Sequence, residues 1–228
     1  MTSHRIGAVG KTASVFGVYA GVLGMEHGYF ETLQGNVVPR GLKILASTTE
    51  LPFPFGHEPA MTVIPSFLVT GILAIAVGLA IVAWSTAFLP KKHGAAVLCL
   101  LSVLLLLVGG GFGPLSLLIA ACIGAAGINR PHPAWQSHLP PGLLRALAML
   151  WPGFLAAALL WVPAEFAAGQ IFDLKNDHRQ TLNNLNLLLS YPMLAFFVLS
   201  LIASFARDLP GPGISHESAA RRIAARSA

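Results

Sequence analysis

Apolar residues run through this chain in long blocks, and polar residues gather in the gaps between them. The first block, 12–33, reads TASVFGVYAGVLGMEHGYFETL, and others follow at 63–89, 95–109, 115–128, 143–168 and 185–205. A helix needs about 17–25 apolar residues to cross a bilayer. The pattern predicts an all-α fold, a polytopic transmembrane helix bundle of six spans.

Residues 94–128 are almost continuously apolar. As one helix they would extend about 50 Å at 1.5 Å per residue, well beyond a hydrocarbon core of about 30 Å. Gly109-Gly110-Gly111-Phe112-Gly113-Pro114 lies in the middle, a run that few helices tolerate. Two short spans joined by a tight turn follow. The same glycines read as a re-entrant loop would expose backbone carbonyls to a pore, but a plain hairpin turn accounts for them equally well.

Between the spans the loops are polar. Pro39, Pro52, Pro54 and Pro59 deny the 34–61 loop any long helix. Residues 1–206 are expected to form a single transmembrane domain, and 207–228 a polar, basic cytoplasmic tail. Arg5 and Lys11 precede the first apolar block as they would in a signal peptide. Glu26, His27 and Glu31 inside that block, with no small-residue cleavage pattern, instead predict a retained span.

Charge sets the expected orientation. Cytoplasmic loops of membrane proteins carry an excess of Lys and Arg. With six spans and an inner N-terminus, the inner side receives Arg5, Lys11, Lys91, Lys92, Arg130, Arg145, Arg207, Arg221, Arg222 and Arg226. Only Arg40, Lys43, Lys175 and Arg179 fall outside, which is ten against four of the 14 basic residues. A five-span chain would lose this asymmetry. The expectation is a protein of the cytoplasmic (inner) membrane with both termini cytoplasmic. The charge of +5 therefore reads as topology, and nucleic acid is not an expected partner. Composition agrees: the chain is 55% hydrophobic and 10% charged, against about 25% charged residues in a soluble domain.

The first span carries two further signals. Gly7, Gly10, Ser14, Gly17, Gly21, Gly24 and Gly28 recur at spacings of three and four, so a helix presents them as one stripe of small residues. Such a stripe lets another helix approach closely. The second span, with Gly71 and Gly78 seven apart, is the expected partner. The stripe equally suits a contact in a homo-oligomer or a larger membrane complex, with the lipid bilayer as the general partner.

At the far end of the stripe stand His27 and Glu31, four residues apart and within about 40° of each other around a helix. Glu26 falls about 100° away on the flank. Ionisable groups at membrane depth are expensive and tend to be functional. Of the nine carboxylates, Glu26, Glu31, Glu50, Glu58, Glu165, Asp173 and Asp177 fall in the outer half or in outer loops. His27, Glu31, Glu26 and Glu165 are the expected charge-handling residues of an outward-facing cavity. His27 and Glu31, joined by His57 and Glu58 from the outer loop, would instead supply ligands to a divalent metal ion. The plain alternative puts Glu31 in the headgroup region and bonds His27 to a neighbouring backbone group.

Cys99 and Cys122 lie inside apolar runs, with no disulfide framework and no CxxC metal motif. His27 is the only histidine well within a span, which argues against a haem held by two histidines. Three functions fit. The chain handles a small solute or proton through the cavity, or it is a membrane-embedded and metal-dependent enzyme acting on a lipid or small apolar substrate. In the third it is a non-catalytic accessory subunit packing through its glycine-rich face.

Overall fold

A computed structural model describes residues 6–45, 59–128, 138–171 and 179–209. These residues are mostly helical. The elements are α1 (Ala8–Leu33), β1 (Lys43–Leu45), β2 (Pro59–Met61), α2 (Phe67–Ala87), α3 (Gly94–Leu107), α4 (Phe112–Gly127), α5 (Pro141–Ile171) and α6 (Arg179–Arg207). Three helical segments, Ala8–Leu33, Phe67–Ala87 and Pro141–Trp161, are long and apolar enough to cross a membrane. α3, α4 and the Tyr191–Arg207 part of α6 are apolar but shorter.

α1 sits at the centre. α1 packs against α2, α4 and α6, while α5 packs mainly against α6. The small-residue side of α1 makes this possible, because Ala13, Gly17, Ala20, Gly21, Gly24 and Gly28 are all buried. Phe16 is the large member of that buried set and meets Phe197 of α6 edge to face, ring centroids 5.4 Å apart. Ile81, Leu98, Leu105, Leu117 and Leu118 complete the core around it. α5 shows the opposite character. Met149 and Leu160 are each 66% exposed, an apolar outer face that suits lipid rather than water.

Against α2 the two backbones nearly touch. A methyl group added at Gly21 would stand 2.8 Å from the Gly78 carbonyl oxygen. One added at Gly28 would stand 2.6 Å from that of Gly71. Only glycine allows an approach this close.

Helix ends follow local rules. α1 stops at Gln34 and Gly35, whose φ of +73° places it in the left-handed region that glycine occupies freely. α2 begins at Phe67, four residues later than the apolar pattern alone predicts. Ser66 is its N-cap, accepting from the Val69 N–H at 3.3 Å, and Pro65 precedes the cap. The 34–61 loop lacks a long helix among its described residues. It also carries a feature the sequence reading did not anticipate: β1 and β2 pair antiparallel, with Ile44 opposite Ala60.

At the other end of the bundle the unexpected residue is Asp208. The N-cap of α1 is Gly7, which has no side chain to offer its free N–H groups. Asp208, just past α6, fills the role from across the fold. Its two carboxylate oxygens accept from Ala8 N at 2.7 Å and Val9 N at 2.9 Å. The negative charge also faces the positive end of the α1 dipole. Asp208→Ala is expected to lower stability by about 1–2 kcal/mol, read as a lower unfolding temperature in detergent. Asp208→Asn, which keeps one acceptor but no charge, is expected to fall between the two.

Contacts along the bundle fix the directions of the helices. Trp151 Nε1 donates to Thr12 Oγ1 at 2.8 Å and Tyr19 Oη to the Leu159 carbonyl at 3.3 Å. α5 therefore runs parallel to α1. Ser14 Oγ donates to the Ser85 carbonyl at 2.6 Å, so α2 returns antiparallel. Arg207 donates to the Ala148 carbonyl at 2.9 Å and lies over the Trp151 ring, bringing α6 back beside the start of α5.

Candidate functional site

The ionisable pair of α1 lies at the end opposite Asp208. His27 and Glu31, one turn apart, share a helix face, and the fold buries both: His27 is 5% exposed and Glu31 not at all. What covers them is the α3–α4 turn.

The turn has this shape because of its glycines. α3 ends at Leu107 with Val108 as its C-cap, Gly110 N donates back to the Leu105 carbonyl at 2.9 Å, and α4 starts at Phe112. Gly109 has φ +92° and Gly111 φ +83°, values that side chains other than hydrogen resist. Pro114, within the first turn of α4, has no intrahelical N–H bond to lose. The hairpin joining two short arms is thus present, and its tip does more than reverse the chain.

Gly109 and Gly111 are needed for space as well as for conformation. The Glu31 carboxyl occupies the volume that a side chain at 109 would fill: both oxygens and the carboxyl carbon crowd the position of a Cβ there. The His27 ring fills the same volume at Gly111, its Nε2 2.6 Å from where that Cβ would stand. The turn is a roof of bare backbone laid across an acid and an imidazole.

Several hydrogen bonds pin the roof. Gly109 N donates to the Met61 carbonyl at 2.9 Å, and Val63 N to the Leu107 carbonyl at 3.0 Å. Thr70 Oγ1, at the start of α2, donates to the Val108 carbonyl at 2.8 Å. Thr62 Oγ1 lies 2.5 Å from Thr70 Oγ1 and accepts from Ile64 N at 3.1 Å. With the Val108 carbonyl taking the Thr70 proton, Thr62 is the donor to Thr70. Both threonines are buried.

Beneath this roof the two Glu31 oxygens meet no hydrogen-bond donor among the described residues. Buried carboxylates ordinarily have such partners. A carboxyl in this setting persists by carrying a proton or by holding a cation.

The structure thus brings together His27 and Glu31 and adds Gly109, Gly111, Thr62 and Thr70. Glu26 is half-buried and lies on the flank of α1, as the helical angle predicts. Glu165 belongs to α5, but its side chain lies outside the described residues, as do His57 and Glu58. Among the described residues no three of His, Cys, Asp and Glu gather closely enough to hold a metal ion. The part of the divalent-metal expectation that rests on described residues therefore consists of His27 and Glu31. Cys99 and Cys122 are free thiols, and Cys122 Sγ lies 3.7 Å from Ser102 Oγ.

No protein-family model matches the chain, and no characterised protein or solved structure compared with it is detectably similar.

Proposed function

We propose that this chain is a six-span protein of the cytoplasmic membrane that handles a small solute or proton at the His27–Glu31 site. One observation carries the reading. A fully buried carboxyl faces a glycine backbone and meets no donor among the described residues, at the end of a helix apolar enough to span a membrane. Polar groups kept at such cost mark pathways for ions and protons.

Six spans require α3, α4 and the apolar part of α6 to cross as well, locally thinning the bilayer or drawing flanking residues inward. The alternating helix directions support this. Lys11, Lys91, Lys92, Arg145 and Arg207 belong to the end that holds Asp208, while Arg40, Lys43 and Arg179 belong to the other. By the positive-inside rule the Asp208 end is cytoplasmic and the glycine roof faces outward. In this arrangement His27 and Glu31 take up and release the transported species, and Glu26 and Glu165 are accessory acids of the same outer half.

Reconstitution tests the proposal. Proteoliposomes containing the wild type are expected to pass protons under a potassium diffusion potential, read with a trapped pH-sensitive dye. Glu31→Gln, inserted to the same level, is expected to fall to the rate of protein-free vesicles, and His27→Ala to lose most of the flux. Full flux in both variants would remove the site from the function.

A further inference from the structure

Building on that reading, we infer that the species exchanged at Glu31 beneath the Gly109–Gly111 roof is a proton rather than a metal cation or an organic solute. Space, ligands and counter-charge all favour a proton.

Space comes first. The carboxyl fills the place of a side chain at Gly109, and the imidazole fills the one at Gly111. The face of each group toward the roof is packed against backbone, which leaves room there for a proton but not for a solute.

Ligands come next. A hard cation such as calcium takes six to eight oxygens at about 2.3–2.6 Å. Three carbonyls around the roof already serve protein donors: Leu107 takes Val63 N, Val108 takes the Thr70 hydroxyl, and Met61 takes Gly109 N. Using them for a cation would dismantle the bonds that hold the roof in place.

Counter-charge is the third consideration. α2 packs along α1, the α3–α4 hairpin covers its end, and the strand residues 59–61 reach the roof. No Asp, Glu, Lys, Arg or His occurs in α2, α3 or α4, in the turn between α3 and α4, or in residues 59–66; the titratable groups of α3 and α4 are Cys99 and Cys122. α6 meets α1 near its opposite end, through Phe197 and Asp208. On α1 itself the facing group is His27, with Glu26 on the flank. Lys43, opposite Met61 across the strand pair, is exposed, and Arg145 of α5 lies at the far end of the bundle, so among the described residues no buried positive side chain comes from a packed element to balance Glu31. The group that neutralises it is its own proton, and among the described residues His27, one turn away on the same helix face, is the titratable partner for the transfer.

A hydrophobic carbodiimide tests this on the full-length protein in native membranes or mild detergent. The reagent takes the proton of a protonated carboxyl buried in apolar surroundings, adds the resulting carboxylate at its central carbon, and rearranges to a stable N-acylurea. The expected result is one adduct, located at Glu31 by peptide mass spectrometry and absent from Glu31→Gln. Its rate is expected to fall about tenfold per pH unit once the carboxyl titrates and to be unchanged by sodium, potassium, magnesium or calcium. Protection by one of those cations, or wild-type flux driven by a sodium gradient with no accompanying pH change, would overturn the proton assignment while leaving an ion-handling site intact. Loss of flux in Glu31→Gln with no labelling of Glu31 would do the same. Clean labelling of Glu31 with full flux in Glu31→Gln would leave the proton in place and defeat the transport reading instead.

Discussion

Gly109→Ala is expected to destabilise the protein by about 2–5 kcal/mol, one of the largest effects of any single methyl group in this chain. Two costs combine. The backbone at φ +92° charges a side chain about 1–2 kcal/mol. The new methyl also lands on the Glu31 carboxyl, and overpacking of a closed site costs about 1–3 kcal/mol more. The two can be separated. Gly35 has φ +73° with nothing within 4 Å of an added methyl, so Gly35→Ala reports the backbone cost alone. Glu31→Ala in the Gly109→Ala background removes the obstacle and is expected to return the packing part, a coupling of about 1–3 kcal/mol in a double-mutant cycle. Additive effects in unfolding experiments in detergent would mean that the carboxyl does not lie against Gly109.

The two halves of this contact were unequally legible in the sequence. His27 and Glu31 stood out because a four-residue spacing places them on one helix face, and because the small-residue stripe points that face into the protein. The glycine run stood out too, but only as a turn. Three consecutive glycines specify that a chain reverses sharply; they carry no information about which helix the reversal rests on. The roof arises from a contact between residues about 80 positions apart, where a missing side chain on one partner makes room for a present one on the other. Thr62 and Thr70 were invisible for a related reason. Threonine at the start of an apolar helix has many ordinary explanations, and its role here is fixed by the Val108 carbonyl 38 residues later.

The same division runs through the fold. Apolar blocks located each of the six described helices, since block length and composition are local properties. The hairpin of β1 and β2 was missed, because three-residue strands are too short for alternation to emerge from a proline-rich loop. Asp208 carries no sign of its role in the sequence. The helix it caps begins with glycine, so no capping signature appears near residue 8, and the acceptor comes from 200 positions away. Local pattern accounts for the elements, and complementary shape and charge across long separations account for how they engage.

Gly71→Leu is the second substitution with a large expected effect, because it acts on the contact that aligns both halves of the site. A side chain at 71 would collide with the Gly28 carbonyl and with Thr32, whose N would lie 2.8 Å from the new Cβ and whose Cγ2 would lie 2.7 Å from it. These are mostly backbone atoms, which cannot rotate aside. The effect opposes intrinsic preference, since replacing glycine in a helix interior ordinarily gains up to about 1 kcal/mol. Gly153→Ala in α5, with open space around it, is expected to show that gain, and Gly71→Ala to show a loss. Gly71→Leu is expected to prevent α1 and α2 from closing, leaving little protein that survives detergent extraction as a monodisperse species. The consequence for function follows from position. Thr70, the residue before Gly71, bonds the roof at Val108, and Thr32, which a side chain at 71 would strike, follows Glu31. Parting α1 from α2 at this point draws the roof off the acid it covers, so the milder Gly71→Ala, where it still folds, is expected to speed carbodiimide labelling of Glu31. Unchanged labelling in a folded Gly71→Ala would show that the glycine contact and the roof are mechanically independent.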